Sequence, residues 1–188
     1  MRFIRKSLLR PFGAWVAGAL MVFAFAPWQQ SWLAPVALWG LVFLLRDQHP
    51  RRACIIGYAF GLGQFGFGVS WVFVSIYEHG NAGLPLAVLL TGMLVGFLAL
   101  FPALATTLTA WMSRGNPWRV SWLLPAAWVA GEWIRTWILT GFPWLAVGYT
   151  QTDGPLAGYA PLVGVLGLSG LLAWTATSLE YLRTEPGR

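Results

Sequence analysis

Few side chains in this sequence are equipped for chemistry. In 188 residues there is one cysteine, Cys54, one lysine, Lys6, and two histidines, His49 and His79. A thiol becomes a nucleophile when a nearby base favours the thiolate, and a lone one at the start of an apolar helix is more often a small packing residue. A lone cysteine also forms no internal disulfide, so Cys54 is read as a small packing residue and no catalytic residue is assigned. No His/Cys/Asp/Glu group stands at ligand spacing, so neither a metal site nor a cofactor is expected. The informative polar residues are Glu78, Glu132, Arg135 and Asp153. Glu132 and Arg135 are three apart and share one helix face. Charges inside an apolar segment are costly and face protein or water. The pair is therefore either a structural ion pair or the floor of an external cavity that takes a polar headgroup.

Downstream of that pair runs Thr140-Gly141-Phe142-Pro143-Trp144-Leu145, then Gly148-Tyr149-Thr150-Gln151-Thr152-Asp153-Gly154-Pro155. Gly and Pro break a helix here, and the aromatics suit a membrane interface. One reading is a Trp belt with a turn. The other is a seat for an amphiphilic ligand, because aromatic surface, Gln151 and Asp153 stand beside the charged helix.

The elements that must position these residues follow from composition. Of the residues, 57% are hydrophobic and 10% charged, against roughly 25% charged in an ordinary soluble domain. Lipid is the implied solvent. The 22 Gly and 13 Trp agree, since small residues let helices approach and Trp anchors their ends. The formal charge of +6 does not point to nucleic acid, because the bases alternate along the chain rather than line one stripe. Arg2, Arg5, Lys6 and Arg10 precede the first apolar run, and Arg46, Arg51 and Arg52 follow the second. Arg114 and Arg119 follow the fourth, and Arg183 and Arg188 close the chain. Only Arg135 departs from this positive-inside pattern.

Six apolar runs are read as helices, at about 8–26, 28–45, 53–76, 84–112, 120–139 and 162–182. The second is only about Trp32–Leu45 unless it starts at Trp28. A span needs about 20 apolar residues, and continuous runs of this length fit helices rather than barrel strands. The expected fold is all-α, one polytopic transmembrane bundle over 1–188 with both termini cytoplasmic. The first run also resembles a secretory signal ending Ala24-Phe25-Ala26, but its length and the close second run favour an uncleaved helix. Gly57-Xaa3-Gly61 and Gly92-Xaa3-Gly96, with Gly63, Gly66 and Gly68, are close-packing spacings, within the chain or in a homodimer.

Several blocks together carry a family resemblance. They are Leu124-Pro125-Ala126-Ala127-Trp128, Glu132-Trp133-Ile134-Arg135, Gly141-Phe142-Pro143-Trp144, Gly148-Tyr149-Thr150-Gln151 and Pro155–Pro161. Upstream stand Phe25-Ala26-Pro27, Gly68-Val69-Ser70-Trp71-Val72 and Phe101-Pro102-Ala103-Leu104. In order and spacing the chain resembles bacterial apolipoprotein N-acyltransferase along essentially its whole length.

The resemblance implies an inner-membrane enzyme that moves an acyl chain from a phospholipid donor to the N-terminal cysteine of a diacylated lipoprotein acceptor, through a thioester on the enzyme. The family's Glu, Lys and Cys lie in a nitrilase-like domain outside the membrane. Cys54 and Lys6 stand on the opposite, cytoplasmic side, so the chain is expected to be the N-terminal membrane portion, inactive alone, with the nitrilase-like part supplied in cis or trans. Trp144 and Phe142 are then expected as aromatic walls for an acyl chain or headgroup, with Gly141 and Pro143 shaping the loop. Glu132, Arg135 and Gln151 would make polar contacts or dock the missing domain. A small transporter, with midplane charges and broken helices, and a non-catalytic scaffold are the alternatives.

Overall fold

A computed structural model describes residues 2–80 and 83–184; Arg188, used in the charge reading, lies outside the described residues. The chain is helical, and no strand occurs among the described residues. The principal elements are α1 (Arg2–Met21), α2 (Leu33–Leu45), α3 (Pro50–Gly68), α4 (Ser70–Val74), α5 (Leu84–Ser113), α6 (Pro117–Arg135) and α7 (Ala160–Thr184).

Local chemistry sets several of these ends. Proline opens α3 and α6 at the first helical position, where a missing N–H costs nothing. The Asn116 side chain caps α6 by accepting from Trp118 N and Arg119 N at 3.0 and 3.4 Å. Arg114 and Gly115 both take positive φ and end α5.

The helices close into a ring in the order α1, α3, α5, α6, α7, α2, and α2 returns to α1. Phe60, Leu41, Trp128, Val147 and Leu172 fill its centre. Small residues permit the closest approaches. A Cβ on Gly18 would strike the Phe60 carbonyl, and one on Gly63 the Trp15 carbonyl, so α1 and α3 touch backbone to backbone. Gly57 and Gly61 do the same against Pro102, Ala103 and Ala99 of α5. The Gly92-Xaa3-Gly96 spacing is different: nothing lies within 4 Å of a Cβ placed on Gly92, so that residue makes no close-packed seam within the chain.

Among the described residues, two helices, Leu84–Ser113 and the segment Ala157–Thr184, are long and apolar enough to cross a membrane. The pair Pro50–Gly68 and Ser70–His79 makes a third if counted as one bent span. At 1.5 Å per residue, the 30 residues of α5 reach about 45 Å. Apolar side chains such as Leu89, Met93, Leu104 and Leu108 stand exposed on its outer face. This is a membrane protein, its apolar surface turned outward as well as inward.

Four expected helices differ in detail. The second starts at Leu33 rather than Trp28, because Gln29 takes positive φ in the turn before it. The run at 53–76 is not continuous. Val69 leaves helical geometry (φ −113°, ψ 18°), and the chain bends by 54° into α4 and a π-helical turn, Ser75–His79. Gly66 and Gly68 stand just before the break and weaken the helix there. The run at 120–139 stops at Arg135, because Phe142 N turns back to donate to the Arg135 carbonyl at 2.7 Å. Leu139, Thr140 and Gly141 all take positive φ in that return. The last helix is interrupted at Gly164 (φ 65°) before running on to Thr184.

Arg10, Arg46 and Arg183 gather at one end. Arg10 Nη1 donates to the Arg46 carbonyl at 3.0 Å, and the Arg183 guanidinium lies over the Phe43 ring. Glu180 accepts from Arg183 and from Trp39 Nε1, tying α7 to α2. At the opposite end, Gln29 Nε2 donates to Asp153 Oδ2, and Gln151 Nε2 donates to the Ser31 carbonyl.

Candidate functional site: a clamped aromatic loop

Between α6 and α7 the chain runs through residues 136–159 with only short 3-10 turns. Backbone of this kind leaves N–H and C=O groups unpaired, which in an apolar medium is tolerated only where protein satisfies them. Four polar side chains from three helices do so here. Arg135 Nη1 donates to the Trp144 carbonyl. Gln64 Nε2, from α3, donates to the Leu145 carbonyl at 3.2 Å. Glu132 Oε1 accepts from Val147 N at 2.8 Å, and Ser169 Oγ, from α7, accepts from Gly148 N at 2.7 Å. The backbone from Trp144 to Gly148 is therefore held at four points. Leu145 sits within this grip at φ 59°, a conformation few apolar residues adopt unless their surroundings impose it.

The gripping residues are deeply placed. Gln64 is 1% exposed, Arg135 3% and Glu132 6%. Glu132 Oε1 also accepts from Trp128 Nε1 at 3.1 Å, and the Arg135 guanidinium lies 5.0 Å from the Phe65 ring centroid. Glu132 and Arg135 share their helix face, but they do not form the expected ion pair: the only ion pairs within 4.0 Å among the described residues join Arg46 to Asp47 and Arg183 to Glu180. Each side chain is turned instead to backbone groups of the loop.

The clamp presents aromatic surface. Trp144 is 53% exposed. Its ring centroid lies 5.5 Å from that of Phe142 and 6.0 Å from that of Trp71 on α4. Gly141, at φ 84°, makes the turn before it, and a Cβ there would strike the Thr136 carbonyl. Pro143 is exposed between the two aromatics. The expected residues thus separate into two groups. Glu132, Arg135, Gly141, Phe142, Pro143 and Trp144 meet in one place. Gln151 stands apart, buried at 1% and bonded to Ser31 beside a cavity lined by Ala24, Ala26, Gln29, Ser31, Tyr149 and Asp153 among others.

Sequence reasoning passed over Gln64, Ser169 and Trp71. Gln64 carried a usable signal, as the one amide side chain in the apolar stretch from Ala53 to Val69. Ser169 carried none, since a lone serine in a glycine-rich helix is ordinary. Cys54 does not pack as expected: it is exposed near the start of α3. No group of His, Cys, Asp and Glu among the described residues is arranged to hold a metal ion.

Similar proteins agree on one family. The profile described as the apolipoprotein N-acyltransferase N-terminal domain matches residues 17–178. The apolipoprotein N-acyltransferase of Methylococcus capsulatus is 48% identical over 93% of this chain and 35% of its own length. Those of Vibrio cholerae and Chromobacterium violaceum are 43% and 46% identical, over 95% and 94% of this chain and 35% and 34% of theirs. The chain spans about a third of the length of the relatives it matches. With a profile match over most of its residues and this level of identity, the chain belongs to the apolipoprotein N-acyltransferase family.

Proposed function

We propose that this chain is the membrane portion of an apolipoprotein N-acyltransferase, the part that receives lipid for the transfer reaction. Residues 1–188 would form one domain of six membrane-crossing helices in the bacterial inner membrane, with both termini cytoplasmic. The reading is supported by the gathering of Arg10, Arg46 and Arg183 at one end of the bundle and of Asp153 at the other.

The reaction itself, transfer of an acyl chain from phospholipid to the N-terminal cysteine of a diacylated lipoprotein, is carried over from the family. Covalent chemistry would fall to a nitrilase-like region in cis or trans, corresponding to the part of the relatives that this sequence does not match. Within the matched part, the chemistry is recognition. Phe142, Trp144 and Trp71, tilted against one another, offer partly exposed apolar surface to an acyl chain or headgroup. Gly141 and Pro143 shape the turn, while Glu132 and Arg135 hold the loop from beneath. Gln151 would act at a separate point, fixing the 29–31 turn beneath the docking side of the catalytic region.

The single observation that carries this reading is the clamp: four buried polar side chains are committed to presenting two aromatics on one short loop. A transporter would need its buried charges free along a path, and here Glu132 and Arg135 are bonded to the chain's own backbone and Glu180 to Arg183 and Trp39. The test is Trp144→Ala in the complete enzyme, assayed by acyl transfer to a lipoprotein substrate. Because Trp144 is half exposed, the variant should keep normal membrane levels while transfer falls at least tenfold. Unchanged transfer would sink the reading.

A further inference from the structure

Beneath the clamp, between α3, α5 and α6, lies a small cavity lined by Gln64, Phe65, Phe101, Trp128, Glu132 and Arg135 among others. About 20 Å³ of it is open to the centre of a water molecule. One water needs on the order of 10–15 Å³ by that measure, so the cavity holds one and nothing larger.

Two of its lining residues carry buried acceptors with no partner, Gln64 Oε1 and Glu132 Oε2. The orientation of the Gln64 amide is fixed independently, because its Nε2 must face the Leu145 carbonyl for that bond to exist. Its oxygen is therefore left for a donor. Glu132 is in the same position: Oε1 is occupied by Val147 N and Trp128 Nε1, and Oε2 remains. The Ser169 hydroxyl also neighbours this carboxylate, yet Oε2 has no partner in hydrogen-bond geometry.

We propose that this cavity is a single-water site, in which one molecule donates its two protons to Gln64 Oε1 and Glu132 Oε2 and so links α3 to α6 under the loop. The ligand class follows from size and polarity together. Two unpartnered acceptors on residues that line one cavity call for a molecule with two donors, and the space fits one water. A cation would exceed the donor set, since two oxygens beside the Arg135 guanidinium are a poor cage. The water completes the clamp: Gln64 and Glu132 each hold the loop with one atom and the shared water with the other.

Radiolytic hydroxyl-radical footprinting of the full chain in nanodiscs tests this, because radicals form where water is held. Phe65 and Trp128, 2% and 5% exposed, should be oxidised despite their burial, while Met21, fully buried and outside the cavity, should not. After dilution into ¹⁸O water, label should enter Phe65 and Trp128 more slowly than exposed Trp144. In Gln64→Leu, oxidation at both should fall at least threefold. Phe65 and Trp128 as unreactive as Met21 would overturn the proposal, for instance because Glu132 keeps a proton on Oε2 and the cavity is dry. Undiminished oxidation in a folded Gln64→Leu would overturn the role of Gln64. The wild-type comparison is decisive even if that variant does not fold.

Discussion

Glu132 separates two accounts of the charged helix. As an acceptor it binds two donors, Val147 N and Trp128 Nε1, whose residues are 0% and 5% exposed. Glu132→Ala strands both. An unsatisfied buried donor costs about 1–3 kcal/mol, although bonds inside membrane proteins average nearer 0.6 kcal/mol. Burying a carboxylate is itself unfavourable, and the substitution relieves that cost. A net loss of about 2–3 kcal/mol is expected. At roughly 2–4 °C per kcal/mol for a chain of this size, the unfolding midpoint should fall by about 4–12 °C. Glu132→Gln removes the charge but keeps an acceptor oxygen for both donors, so its loss should stay below about 1 kcal/mol. Tryptophan fluorescence during heating in detergent reads both variants. Equal losses in Ala and Gln would mean that the charge, paired with Arg135, is what matters, and would refute the clamp. No loss in either would refute it as well.

Other expectations follow from the packing and the charge pattern. Gly63→Val places a branched side chain against the Trp15 carbonyl of α1; neither backbone can retreat within the ring, so folded yield in membranes should drop by more than half, with Gly92→Val, where the space is open, close to wild type. Cys54 is the sole cysteine and exposed, so a membrane-impermeant maleimide should leave it unlabelled in spheroplasts and label it once the membrane is opened. Labelling of intact spheroplasts would invert the proposed topology.

The helical, membrane-spanning character was legible because composition and the spacing of bases report the solvent directly. Breaks were harder to see. Nothing in Gly66-Phe67-Gly68-Val69 distinguishes a packed glycine face from a bend of 54°, since both use the same residues. The site was half legible. Glu132 and Arg135 stood out because a charge in an apolar run must have a partner, yet the partners include backbone groups of the loop that follows, 15 and 9 positions on, which side-chain spacing cannot reveal. The three-residue spacing suggested that the two face each other; in the folded chain each faces the loop. Gln64 reaches Leu145 across 81 positions of sequence, a contact that only the ring order of helices brings about. Gln151, by contrast, looked like part of the loop by proximity in sequence and belongs to another corner of the bundle.

The central claim is that the clamped loop receives lipid, and photocrosslinking tests it most directly. A phospholipid with a diazirine near the start of one acyl chain would be incorporated into membranes holding the protein, irradiated, and the adducts mapped by mass spectrometry. The account predicts adducts on Phe142, Trp144 and Trp71 at several times the frequency found on exposed α5 positions such as Leu104 and Leu108, with the excess lost in Glu132→Ala. Adducts spread evenly over the exposed apolar helices, with no excess on the loop, would contradict it.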